Sequence, residues 1–375
     1  MKRHLKLYKA LSILLIQGFL SFTSSIAASG TPDLSVNGPN KVEVLDFRDL
    51  VDLKRESIKT TDRPRLFRRF RQDIITAQGR ALSIKLHVPE SGGPYPIVLI
   101  SHGAGGNRDT HFAQAHHLAS HGYAVLCLEH PGSNTVRMKD GIRIFQNLKK
   151  MIHDSNEVMN RPKDMSFGLD QATQWNENHE KIKGKLNLKQ VGIMGHSFGA
   201  YTALAVGGAR PALDWLEPKI EPGSGLGPSL FDSRVKCGIA LSPQGPGDPF
   251  FNKESYSTIR IPMLGISGTK DQQQNGDPPL ARLESFRLWP TMNQASVFLW
   301  LTNAGHLDFT DSTGGESNGM KTANRAQVQK VVRAASLLFF NSCLKKDISA
   351  NSRLSISGLN PYLSGSINGL QVLRK

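Results

Sequence analysis

The run Gln190-Val191-Gly192-Ile193-Met194 leads without a break into Gly195-His196-Ser197-Phe198-Gly199, and then into a segment carrying Ala200, Ala203 and Ala205. An apolar strand, a G-x-S-x-G turn and a helix of small residues leave the chain little freedom. The turn must hold Ser197 in a sparsely populated backbone conformation, as in a nucleophile elbow, and glycines flank it because a Cβ at 195 or 199 would strike the adjoining strand or helix. The motif alone is weak in a chain with 35 glycines. Its force comes from its place between a buried strand and a helix that can pack closely.

The surrounding pattern agrees with such a turn. Residues 82–88 alternate polar and apolar side chains up to Pro89, and Ile97-Val98-Leu99-Ile100 is a short apolar run suited to a strand covered on both faces. Residues 109–121 read as a helix with Phe112, Ala115 and Ala119 on one face and Gly122 as its stop. A strand is expected at 123–128. Pro162 opens a helix striped by Met165, Leu169 and Ala172. Further strands fall at 191–194, 237–241, 263–266 and 297–301, and Val328, Val331, Val332, Ala335, Leu338 and Phe339 mark a closing helix. Alternating strands and helices predict an α/β fold with a mostly parallel central sheet and helices on both faces. Residues 131–160 and the Gly/Pro-rich 207–235 interrupt that rhythm on the carboxyl side of strands, as lid-like insertions beside a ligand site. The core is expected over 43–343, after a polar segment at 29–42, with a polar tail at 344–375.

The N-terminus reads separately. Lys2, Arg3, Lys6 and Lys9 precede a 13-residue apolar stretch at 10–22 and small residues ending in Ala27-Ala28. That run is shorter than the ~20 residues a membrane span needs. Residues 1–28 therefore read as a secretory signal peptide cleaved near Ala27/Ala28, giving a secreted or periplasmic protein. Removing four basic and no acidic residues takes the formal charge from +15 to +11. A basic surface leaves peripheral contact with a membrane surface open. The densest cluster, Arg63-Pro64-Arg65-Leu66-Phe67-Arg68-Arg69-Phe70-Arg71, reads as an outer strand with a solvated face. Of the three cysteines, Cys127 and Cys237 lie in apolar strand-like runs and read as small core residues. Cys237–Cys343 is the one bridge worth considering.

A serine hydroxyl becomes an effective nucleophile only when a base removes its proton. Among twelve histidines, His306 alone follows Ser197, in Asn303-Ala304-Gly305-His306 at the end of the last apolar strand. That makes it the candidate base under the order Ser, acid, His. The acid that orients it is Asp271, after the penultimate strand, or alternatively Asp248, after the strand before that. Asp308 and Asp311 lie too close to His306 in sequence to face its ring. Oxyanion donors are expected from the backbone N–H of Phe198 and from Ala104 in the glycine-rich loop His102-Gly103-Ala104-Gly105-Gly106. The remaining histidines read more plainly: His116, His117 and His121 as solvated helix surface, His153 and His179 within polar insertions. No metal-ligand, phosphate-cradling or nucleic-acid signature is present, so no cofactor, no metal and no nucleic-acid partner is expected.

Taken together, Ser101-His102-Gly103-Ala104-Gly105-Gly106, Leu118-Ala119-Ser120-His121-Gly122-Tyr123-Ala124-Val125, Glu129-His130, Arg161-Pro162-Lys163-Asp164 and the elbow resemble the α/β-hydrolase superfamily. The nearest resemblance is to its branch of platelet-activating-factor acetylhydrolase-like and dienelactone-hydrolase-like esterases. The resemblance implies a serine hydrolase cleaving small-molecule or lipid carboxylic esters through an acyl-serine intermediate. Dienelactone hydrolases proper carry a cysteine where this chain has Ser197, and acetylhydrolases of this type can draw their acid from the earlier strand, which keeps Asp248 in play. Polyester- and cutin-degrading hydrolases share the same Ser, Asp, His layout. A lipid-surface acetylhydrolase, phospholipase or lipase, a serine peptidase of the same fold and a non-catalytic binding module are the alternatives.

Overall fold

Successive residues of strand β4 (Tyr95–Ser101) serve opposite cores: Ile97 and Leu99 join one apolar cluster, Val98 and Ile100 the other. This period of two is what a strand needs when helices cover both of its faces. The computed structural model describes residues 32–55, 75–76, 79–273, 275–291, 295–311 and 324–375. The expected leader and the arginine-rich 63–71 stretch lie outside the described residues. Leu34–Lys375 forms one compact unit.

The sheet also contains β1 (Val42–Asp52), β2 (Ile75–Thr76), β3 (Gly79–Pro89), β5 (Ala124–Glu129), β6 (Leu186–His196), β7 (Val235–Leu241), β8 (Met263–Lys270), β9 (Val297–Gly305) and β10 (Leu370–Arg374). Their order is β1-β3-β5-β4-β6-β7-β8-β9-β10, with β2 paired to β3. Neighbours from β5 through β9 run parallel, and the pairs β1–β3, β3–β5 and β9–β10 run antiparallel. The chain moves outward from β4 to β5, then returns past β4 to β6. Ligands bind open α/β sheets at such a reversal, beyond the carboxyl ends of the strands. There the loop after β4 and the end of β6 lie side by side, with Ser101 in register with Gly195.

On one face lie α1 (Phe112–Ser120), α7 (Arg325–Leu344), α8 (Ile348–Arg353) and α9 (Ile356–Leu359). The other carries α4 (Ser155–Asn178), α5 (Phe198–Val206) and α6 (Leu280–Leu288). Two short helices, α2 (Thr135–Met138) and α3 (Ile144–His153), occupy the first insertion. A disulfide joins Cys237 of β7 to Cys343 of α7, and Cys127 is a buried free thiol. Among the described residues no helix is long and apolar enough to cross a membrane.

Three local expectations are corrected. Pro162 does not open a helix but lies inside the 24-residue α4. A proline there cannot donate to the carbonyl four residues back, and the Tyr201 hydroxyl of α5 donates to that Val158 carbonyl instead, at 2.9 Å. Residues 344–375 are no tail. Leu354, Leu359, Tyr362 and Ile367 are buried, and β10 closes the sheet edge against β9. A few well-spaced apolar side chains outweigh a Ser/Asn-rich composition once they have a core to enter. His117 is not solvated helix surface: it is fully buried, and its Nε2 lies 2.9 Å from the Leu34 carbonyl, tying the N-terminal segment down.

The α4 repair is testable. Tyr201→Phe should cost about 1–3 kcal/mol because it strands a buried carbonyl. In a Pro162→Ala background the new N–H serves Val158, and the same change should cost clearly less. Urea unfolding of the four chains measures the difference; equal costs in both backgrounds would remove this account of the proline position.

Candidate active site

Ser197 ends β6 and begins α5 with φ 56° and ψ −117°, a left-handed conformation rare for a residue with a side chain. Such strain costs about 1–3 kcal/mol and persists only where the surroundings enforce it. Here the Ser197 N–H donates to the Leu241 carbonyl at 3.0 Å, and its own carbonyl accepts from the Gln244 side-chain amide at 2.7 Å. A Cβ on Gly195 would overlap the Gly199 carbonyl, and one on Gly199 would overlap the Ser101 carbonyl. The glycines flanking the serine are therefore demanded by contact.

His306 begins the short turn after β9. Its Nε2 stands 3.0 Å from Ser197 Oγ and its Nδ1 stands 2.8 Å from Asp271 Oδ1. The turn is held by the Gly305 N–H donating to Asp308 Oδ2 at 2.8 Å, and by His196, whose Nε2 lies 2.9 Å from the His306 carbonyl. Asp271 is fully buried after β8. Burial on its own would push this carboxyl up. The Arg282 guanidinium, then the His306 ring, outweigh that and hold it well below the usual carboxylate range. Arg282 Nε is 3.0 Å from Asp271 Oδ1, and the Ser267 hydroxyl donates to Oδ2 at 2.8 Å. The same guanidinium donates to the carbonyls of Asp271, Ser242, Pro243 and Gln272, so it fastens the loops after β7 and β8 together.

The alternative acid goes elsewhere. Asp248 Oδ1 is 2.7 Å from His153 Nε2, linking the first insertion to the loop after β7, and its side chain is 39% exposed. That carboxylate forms part of the wall of a narrow cleft of about 30 Å³ beside Ser197 and His306, with Ile152, Phe198, Gln244, Phe250, Gln273 and Asn275. The Ala104 loop meets Ser197 from the other side: a Cβ on Gly103 would lie 3.4 Å from Ser197 Cβ. Phe198 supplies the first N–H of α5. Among the described residues no group of three or more His, Cys, Asp or Glu side chains is set to hold a metal ion.

A hydroxyl, an imidazole and a buried carboxylate in hydrogen-bonded series, on an elbow at the reversal of a parallel sheet, form an arrangement shared by many hydrolases. Residues 97–341, well over half of the chain, match the family described as the alpha/beta hydrolase family. The chain belongs to that family. Among curated proteins it is similar to platelet-activating factor acetylhydrolases. That of Cavia porcellus is 23% identical over 290 residues, covering 69% of this chain and 59% of the relative. That of Canis lupus familiaris is 29% identical over 179 residues (40% and 35%), and that of Bos taurus 24% over 214 (48% and 42%). The chain thus spans less than two thirds of the length of these relatives.

In this alpha/beta hydrolase, sequence reasoning named Ser197, His306 and Asp271, with Asp248 as the alternative acid; the structure brings Asp271, not Asp248, to His306. It missed Arg282, Gln244 and the structural use of His196. Arg282 sits on a helix whose pattern carries no sign that one of its arginines is buried. Gln244 gave a weak signal, as a polar residue just past an apolar strand.

The depressed Asp271 titration has a definite sign. Unfolded, the carboxyl titrates near pH ~4; folded, it titrates lower, so its ionised form adds stability that is complete above the ordinary range and lost as pH falls towards the folded value. Asp271→Asn removes this component. Between about pH 4 and pH 2 its unfolding free energy should fall less steeply than that of the unaltered chain, measured by denaturant titration at each pH. Parallel curves would mean that Asp271 is not held ionised.

Proposed function

We propose that this chain is an exported serine hydrolase that cleaves carboxylic esters through an acyl-serine intermediate. The observation that carries the reading is the unbroken series Ser197 Oγ, His306, Asp271, with separations of 3.0 and 2.8 Å. Ser197 Oγ attacks the ester carbonyl while His306 Nε2 takes its proton. Asp271 keeps the proton of the neutral ring on Nδ1, and then stabilises the imidazolium. The negative oxygen of the tetrahedral intermediate is received by the N–H groups of Ala104 and Phe198. His306 returns the proton to the departing alkoxide, and later removes one from the water that attacks the acyl-serine, with no cofactor required. Export is proposed from the leader-like residues 1–28.

One observation favours a more specific reading, action at a lipid surface. The insertion around α2 and α3 exposes Val136, Ile142, Ile144 and Phe145, interspersed with Arg137, Lys139, Arg143, Lys149 and Lys150. Apolar side chains among cations suit an anionic membrane interface, and Ile152 of the same helix lines the cleft. The relatives, by name, are acetylhydrolases of platelet-activating factor, which accords with a lipid ester.

Ser197→Ala should abolish hydrolysis of p-nitrophenyl acetate and labelling by a fluorophosphonate, while circular dichroism stays unchanged; a labelled or active variant would sink the proposal. Asp271→Asn should lower kcat by about 10⁴-fold, and Asp248→Asn only slightly; the opposite ranking would transfer the acid role. Paired assays of p-nitrophenyl esters of rising chain length and of a short phospholipid, with and without phosphatidylglycerol vesicles, test the lipid-surface reading. It requires faster turnover with vesicles, and loss of that gain in Ile142→Glu/Phe145→Glu.

A further inference from the structure

Behind the Ala104 loop lies a group of buried charges that the proposed reaction does not use. Arg161 of α4 is fully buried. Its Nη2 donates to the His102 carbonyl and, at 3.1 Å, to Ser101 Oγ. Its Nη1 donates to Ser133 Oγ at 2.7 Å, and its Nε donates to Thr202 Oγ1 at 3.1 Å. Thr202 in turn donates to the Phe198 carbonyl at 3.0 Å, and the guanidinium lies 4.2 Å from the centre of the Phe198 ring. One side chain therefore reaches both segments that carry the expected oxyanion donors. Burial pulls Arg161 down to about 9, against the pull of Glu157 and Asp164, so it stays a cation at neutral pH.

The His102 ring completes the arrangement. Its Nε2 accepts the His130 N–H at 3.0 Å, so its proton sits on Nδ1 and is donated to the Gly103 carbonyl at 2.6 Å. The Gly106 N–H donates to the same carbonyl at 3.1 Å. In a trans peptide the N–H points opposite to the C=O. Holding the Gly103 oxygen from two directions therefore fixes the aim of the Ala104 N–H, which among the described residues has no protein acceptor, whereas the Gly105 N–H donates to Ser133 O at 2.8 Å. His130 is oriented by Asp164, 2.8 Å from its Nδ1, and Asp164 is bound by Arg80 at 2.9 and 3.0 Å.

We propose that Arg161 and His102 are positioning residues for the oxyanion hole. Arg161 holds the His102 and Phe198 segments at a fixed separation, and His102 sets the plane of the Gly103–Ala104 peptide. Neither touches substrate. The Arg161-Pro162-Lys163-Asp164 motif then has a purpose beyond the helix: Arg161 braces the loop directly, and Asp164 braces it through His130. The inference rests on the serine-hydrolase reading.

The test uses Arg161→Lys, which keeps the charge but loses the fork, and the pair His102→Ala and His102→Asn, the second retaining a donor near the Nδ1 position. Active sites are counted with a fluorophosphonate carried to its end point, so misfolded protein drops out. Per labelled site, Arg161→Lys and His102→Ala should lose about 10²-fold in kcat, with KM little changed. Affinity for a trifluoromethyl ketone, whose adduct places an oxyanion in the hole, should fall in parallel, and His102→Asn should recover part of both losses. Unchanged kcat and ketone affinity per site would overturn the inference, as would a loss confined to KM or to the number of sites. If Arg161→Lys does not fold, the His102 pair decides. Failure of the unaltered chain to label at Ser197 is a different outcome, and would remove the hydrolase reading itself.

Discussion

The geometry of the site depends on one close crossing. Helix α5 leaves β6 so abruptly that the Gly199 carbonyl fills the place of a side chain at 195, and the Ser101 carbonyl fills the place of one at 199. Two backbones and a helix start share a volume that admits no Cβ. The result is a serine in a left-handed conformation at the rim of the sheet, with its N–H bonded to β7 and its carbonyl bonded to Gln244. Because β4 and β6 are neighbours, the same crossing brings the Ala104 loop against the serine. An added methyl at either glycine would move the helix, the loop and Ser197 together.

Around this crossing the protein buries charge in two places, each with its partners supplied. At one, Asp271 faces Arg282 and His306; at the other, Asp164 and Glu157 face Arg80, with Arg161 between them and the loop. Removing charges from water is costly, and an ion pair alone seldom recovers that cost. Arg282 and Arg161 instead spread their guanidinium groups over several carbonyl or hydroxyl acceptors, while Arg80 donates to the carboxylates of Glu157 and Asp164, so that desolvation is offset by hydrogen bonds as well as by opposite charge. Such a group is a poor source of net stability and a good source of fixed geometry. It ties together loops that leave different strands: β7 with β8 through Arg282, and β4 with the α5 helix start through Arg161.

The parts of this arrangement that could be read in advance were those with a local cause. The G-x-S-x-G turn shows in five residues because steric exclusion acts between neighbours in the chain. His306 follows from being the sole histidine after the serine, at the end of an apolar strand. Asp271 was preferred and Asp248 stayed open as the alternative, since each follows a strand of the same sheet and the decision depends on which loop bends towards β9. The C-terminal segment misled because its composition is polar, whereas its place is set by a few buried apolar side chains and by an open sheet edge. Pro162 misled for a similar reason: the carbonyl it abandons is satisfied by Tyr201, which belongs to another helix.

The sequence by itself determined the α/β alternation, the elbow, the serine and its histidine, because periodicity and backbone sterics act over a few residues. The tertiary structure alone decided which carboxylate faces the imidazole, whether the Cys237–Cys343 pair closes, and how Arg161 and Arg282 are used. Those outcomes depend on distances between segments scores of residues apart, and a buried charge finds its place only after the loops around it have met.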